Sequence, residues 1–283
     1  MYCRPNTLDE AVHLLASCGG QILAGGTDFF PSLGERPVTG TVVDISGLRE
    51  LKGVIHEAEY IRIGGLTTWT EIVKTPLPRC FDGLKAAARE IGGIQIQNRG
   101  TVAGNLCNAS PAADSVPPLL ALDADVDLTS HAGTRRMPLA DFIIGNRKTL
   151  RQPGEILSQI LVPRTIEDGV STFLKLGARR YLVISIAMVA VVIDKDATNR
   201  VREARVSVGS CSVVARRLTE LEHTLMGAPV GVGPGLRGLG TLATAEHLKD
   251  LSPIGDLRAT AVYRRDAALR LVQHALDACA GSL

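Results

Sequence analysis

The chain has 283 residues, 45% of them apolar, and carries a net charge of +2 from 31 basic and 29 acidic side chains. Such a length exceeds what one core comfortably organises, so two domains are expected. The even mixture of charges, without a lysine or arginine run, argues against a nucleic-acid partner. The longest apolar stretch, Tyr181 to Ile193, is too short to cross a bilayer as a helix, and its β-branched residues predict a buried strand. No membrane span is expected, and an N-terminus without a basic and apolar leader points to the cytoplasm.

The chain opens with Thr7-Leu8-Asp9-Glu10, a capping box that predicts a helix stopping at Gly19-Gly20. Apolar Ile22-Leu23-Ala24 then runs into Gly25-Gly26-Thr27-Asp28, a strand entering a glycine turn whose backbone can approach a ligand closely. Strands are predicted at Thr41 to Ile45 and Tyr60 to Ile63, and a second capping box at Thr68 to Glu71 starts another helix. Asp82 to Ile91 reads as a helix ended by Gly92-Gly93. A second glycine cluster follows, from Asn98 to Asn105, and continues through Asn108 to Asp114. Small residues there would let a pyrophosphate lie against main-chain N–H groups, although ordinary connecting turns account for the same glycines. Neither cluster is G-x-G-x-x-G and no P-loop lysine follows, so an ordinary Rossmann or nucleotide-hydrolase site is not supported.

Six cysteines at positions 3, 18, 80, 107, 211 and 279 form no C-x-x-C pair, and no G-x-S-x-G or H-E-x-x-H motif occurs. No metal ligand and no catalytic side chain is therefore assigned. An enzyme chain of this kind relies on a cofactor or on a partner.

The ordered segments LAGGTD (Leu23 to Asp28), VVDIS (Val42 to Ser46), IRIGGLTT (Ile61 to Thr68) and the run from Gln95 to Ala124 resemble the FAD-binding subunits of the xanthine dehydrogenase and carbon monoxide dehydrogenase family. PGEIL at 153–157, TFLKLGARR at 172–180 and the stretch from Asp256 to Val272 extend the resemblance over nearly the whole chain. It implies an α+β fold: a two-lobed FAD-binding domain of the p-cresol methylhydroxylase (PCMH) type over residues 1–166, then a small α+β C-terminal domain over 167–283.

By position, Ile22, Leu23, Ala24, Gly25, Gly26, Thr27, Asp28 and Phe29 become the first FAD segment. Thr101, Val102, Ala103, Gly104 and Asn105 become the second, with Asp114, Leu157 and Lys175 as further contacts. Each polar assignment has a plainer alternative. Asp114 caps a helix starting near Ser115, Thr101 and Asn105 stabilise their own turn, and Lys175 is an exposed strand lysine. Ala103 stands where relatives carry glycine. A positive φ there would cost roughly 1 kcal/mol and weaken FAD binding, whereas a negative φ would remove the objection. Pro31 to Gly40 is short for the family, and Gly227 to Gly240 reads as a surface loop.

The resemblance further implies that the chain holds FAD, with molybdopterin confined to a large partner subunit and [2Fe–2S] clusters to a small one. Electrons would pass from those clusters through FAD to an external acceptor. The expected assembly is a heterotrimer or a dimer of heterotrimers in the cytoplasm. The alternatives are a stand-alone FAD-dependent oxidoreductase of the PCMH fold and an FAD-free assembly subunit.

Overall fold

A computed structural model describes residues 1–231 and 238–283, and the middle of the expected Gly227 to Gly240 loop lies outside the described residues. The chain divides into two units that are discontinuous in sequence. The first contains Met1–Thr75, Gly92–Ser110 and Ala124–Val162, and the second Pro76–Ile91, Pro111–Asp123 and Pro163–Leu283.

The first unit begins with a parallel three-stranded sheet in the order β1 (Tyr2–Cys3), β3 (Val42–Asp44), β2 (Gln21–Leu23). The Leu8–Cys18 helix packs on it. Thr7 caps this helix by accepting from the Glu10 N–H, and Gly19 ends it at a φ of 63°. Its buried face, Ala11, Val12 and Leu15, has the spacing of one helical side and meets Val43, Ile45, Leu48, Leu51 and Ile156. A five-stranded sheet follows in the order β4 (Val54–His56), β5 (Tyr60–Gly64), β10 (Ile156–Pro163), β6 (Asp125–Ser130), β7 (Gly133–Pro138). A small hairpin, β8 (Ile143–Gly145) and β9 (Lys148–Thr149), completes the unit. β10 is irregular between Leu157 and Gln159, and this kink leaves the Ser158 carbonyl to accept the Gly65 N–H at 2.7 Å.

In the second unit an antiparallel sheet runs β11 (Val170–Leu176), β12 (Ala187–Lys195), β13 (Val201–Gly209), β14 (Arg216–Arg217). The C-terminal helix Ala261–Ser282 buries Ala268, Val272, Ala275, Leu276 and Cys279 against it, a stripe at three- and four-residue spacing. β12 is buried along nearly its whole length, as expected for a strand covered on both faces.

This strand starts at Ala187 and not at Tyr181. Residues Tyr181, Leu182 and Ile184 are exposed, contrary to the expected buried strand from 181 to 193. Leu182 takes a left-handed backbone with φ 52°, and the Arg179 guanidinium binds its carbonyl, so the extended conformation cannot propagate back through it. No helix among the described residues is long and apolar enough to cross a membrane.

Candidate functional site

The first glycine segment leaves β2 at Leu23 and enters the short helix Phe29–Leu33. Gly25 lies against the Arg99 carbonyl so closely that a Cβ would overlap it, and Gly26 has a φ of 76°. Only glycine meets either demand without displacement or strain. Residues 22–29 are all half-buried, in reach of solvent yet held in place.

The second segment is helical where a loop to Asn105 was expected. Thr101 caps the helix Val102–Asn108, its hydroxyl accepting the Gly104 N–H at 3.1 Å. The N–H groups of Val102 and Ala103 bind the carbonyls of Thr67 and Gly65 at 3.0 and 3.1 Å, so the IRIGGLTT strand end holds the start of this helix. Ala103 is buried inside the helix and does not take a positive φ, so the strain argument against FAD binding does not apply to it. The left-handed residue is Ala109, φ 48°, at the helix C-terminus. Leu157 is buried beside the Ser158 carbonyl that anchors Gly65, placing three separate sequence motifs in one neighbourhood.

A cavity of about 90 Å³ lies where the two segments meet, lined by Ala24, Gly25, Ser46, Lys52, Leu66, Thr68, Asn98, Arg99 and Thr101. The residues lining it include Lys52, Arg99, Ser46, Thr68, Thr101 and Asn98, and no aspartate or glutamate. This set of donors favours an anionic group. Ser46 enters the sequence reading only as the end of the VVDIS motif and Lys52 not at all, since nothing in the sequence ties either to a glycine cluster. Cys107, in the second segment's helix, has its thiol pushed up to about 11 by burial and is not a thiolate.

Asp114 and Lys175 belong to the second unit and bind each other. The Lys175 ammonium donates to Asp114 Oδ2 at 2.6 Å and the Ser185 hydroxyl to Oδ1 at 2.5 Å. Both members of the ion pair have side chains only 7% exposed, so Lys175 is not the exposed strand lysine that its position suggested. Asp114 does not cap the following helix, whose N-cap is Ser115. Burial raises the Asp114 carboxyl above its ordinary value, an effect opposed by Lys175 and Ser185.

Residues 1–165 match the FAD binding domain in molybdopterin dehydrogenase, and residues 172–279 match the CO dehydrogenase flavoprotein C-terminal domain. The chain belongs to this family of FAD-binding subunits. It is 32% identical, over all of its length and 98% of the relative's, to a putative xanthine dehydrogenase FAD-binding subunit of Escherichia coli. It is 34% identical to the nicotinate dehydrogenase FAD-subunit of Eubacterium barkeri, over 80% of this chain and 79% of that one. Carbon monoxide dehydrogenase from Hydrogenophaga pseudoflava superposes with a TM-score of 0.87 at 27% identity, covering 98% of this chain and 96% of that chain.

The chain is thus an FAD-dependent oxidoreductase subunit of the medium-chain type, with the α+β fold of the CO dehydrogenase flavoproteins. The first unit's own features suit such a cofactor. Two segments meet backbone to backbone at Gly25, where a side chain has no room, and a donor-rich, carboxylate-free cavity adjoins them.

Proposed function

We propose that this chain is the electron outlet of a multisubunit molybdenum hydroxylase, taking electrons from [2Fe–2S] clusters of a small subunit and passing them to an external acceptor. A large subunit carries the molybdopterin and oxidises the substrate. The three assemble as a heterotrimer, or as a dimer of heterotrimers. Residues 1–166 form the FAD-binding domain and 167–283 the C-terminal domain. The observation that carries this reading is the meeting of the 22–29 segment with the start of the Asn98 to Asn105 cluster, where Gly25 lies against Arg99 and Gly100, within a chain matched almost end to end by the two domains of medium subunits.

The residues proposed to hold FAD are those of the two segments, together with Leu157 in the first unit and Asp114 and Lys175 in the second. Bound FAD supplies one- and two-electron redox chemistry that the side chains lack. The chain's own contributions are binding, orientation and charge. Main-chain N–H groups of the first segment and the hydroxyls of Thr27 and Thr101 suit phosphate oxygens, whereas the N–H groups of residues 102–105 are taken up within the protein, and the Asp114 carboxylate suits a hydroxyl or ring N–H donor.

The test is the visible spectrum and flavin content of the chain, purified alone and with its copurifying partners, followed by anaerobic addition of candidate substrates. Near-stoichiometric FAD, reduced by substrate only when molybdenum and iron–sulfur subunits are present, is the expected result. Reduction by substrate in the isolated chain would instead make it a stand-alone oxidoreductase. Absence of FAD even from the intact assembly would leave a structural role.

A further inference from the structure

The turn of the β8–β9 hairpin consists of Asn146 and Arg147, between the paired residues Gly145 and Lys148. Arg147 has a φ of 57°, while Asn146 is not among the positive-φ residues. A two-residue turn with the left-handed residue in its second place is where glycine or asparagine is favoured. Arginine is therefore held at a position that its own backbone disfavours. Such strain persists where the surroundings over-determine it and is found where the side chain is used.

The Arg147 side chain reaches two places far away in sequence. Its guanidinium donates to Asp28 Oδ2 at 2.7 Å and to the Asn108 side-chain carbonyl, while its own N–H binds the Ala109 carbonyl at 2.9 Å. Asp28 ends the first glycine segment. It stands at the N-cap of the Phe29–Leu33 helix, yet its carboxylate makes no capping bond and goes to Arg147 instead. Asn108 is the last residue of the helix that carries the second segment, and Ala109 is that helix's own left-handed terminus. One side chain and one N–H thus tie together the distal ends of both segments, whose near ends already meet at Gly25 and Arg99.

Arg147 and Asp28 have side chains 55% and 48% exposed. A pair so open to water contributes little to global stability, so stability alone does not account for a strained arginine here. Fixing the distance between two segments that must grip one cofactor does account for it, because a bound group is held well only when its supports are themselves held.

We propose that Arg147 is a positioning residue for FAD, a clamp that sets the gap between the 22–29 and 101–108 segments. This rests on the reading of those segments as the FAD grip. It touches no reacting atom and acts only through Asp28, Asn108 and Ala109.

The test uses the full-length chain stripped of flavin, with FAD affinity measured by quenching of flavin fluorescence and stability by thermal unfolding of the apoprotein. Arg147→Gly relieves the backbone and removes the side-chain links to Asp28 and Asn108 while keeping the N–H bond to Ala109. It is expected to leave the unfolding midpoint unchanged or raised and to weaken FAD binding by about tenfold. Both side-chain bonds leave the single nitrogen Nη1, so Arg147→Lys, which keeps the charge and a multiple donor on a shorter reach, is expected to restore part of the affinity. Asp28→Asn is expected to weaken binding too, and the pair Arg147→Gly with Asp28→Asn to be no worse than the weaker single variant, because both break the same link. Affinity of Arg147→Gly within twofold of the wild type overturns the proposal, as does strict multiplication of the two single losses. A wild-type chain that takes up no FAD overturns the FAD reading itself and the clamp with it.

Discussion

Lys175 and Asp114 form an ion pair that is almost fully removed from water, and such pairs respond strongly when one partner is lost. The Asp114 carboxyl is raised above 3.8 in the folded chain, chiefly by burial. The folded state therefore holds this proton more tightly than the unfolded state. The group's contribution to stability falls as pH rises from its ordinary value through the raised one. Removing the cation with Lys175→Met raises the carboxyl further and leaves any charge on it buried without its partner. The expected loss is about 3–5 kcal/mol at pH 8 and clearly less at pH 5, measured by urea unfolding. Adding Asp114→Asn to that variant removes the charge, and the pH dependence of the loss should disappear with it. A loss equal at both pH values would mean that Asp114 does not carry the effect.

At the scale of elements, the caps at Thr7 and Thr68 and the glycine stop at Gly19 were legible because each is a local arrangement within four residues. The helix in the second glycine segment is not legible in the sequence, since its glycines point to a turn. What makes it helical is partly remote: the carbonyls of Thr67 and Gly65 take the N–H groups of Val102 and Ala103, and Thr101 takes that of Gly104. The start of β12 is hidden for a similar reason, because the Arg179 bond to Leu182 cannot be seen in a run of apolar letters. These bonds give Thr101 a definite structural role beside its proposed contact with FAD. Thr101→Ala should cost about 1 kcal/mol in denaturant unfolding through loss of the cap, and Thr101→Ser should restore most of it. Flavin content that falls with alanine and returns with serine assigns the hydroxyl to the grip as well. Flavin content indifferent to alanine leaves Thr101 as a cap alone.

At the scale of the whole molecule, the family and its two domains were legible from ordered motifs, while the arrangement of compact units was not. Segments 76–91 and 111–123 lie within the first 165 residues yet pack in the second unit. Gly83 donates to the Ser171 hydroxyl at 2.7 Å, 88 residues away, and Arg217 binds Asp123, 94 residues away. No local pattern announces such pairings. This division has a measurable consequence for the cofactor. A ligand that binds only the folded state stabilises it by mass action, by about 2.7 kcal/mol at a hundredfold excess over its dissociation constant. Local opening of the segments it touches is suppressed by the same term. Hydrogen exchange of the full-length chain, with and without FAD, should therefore slow at 22–29 and 101–108 in the first unit, and at 114 and 175 in the second. Unchanged exchange across 22–29 or 101–108 would remove that segment from the grip. Slowing confined to the first unit would strip Asp114 and Lys175 of any cofactor role and leave them as the buried pair that holds 111–123 to β11.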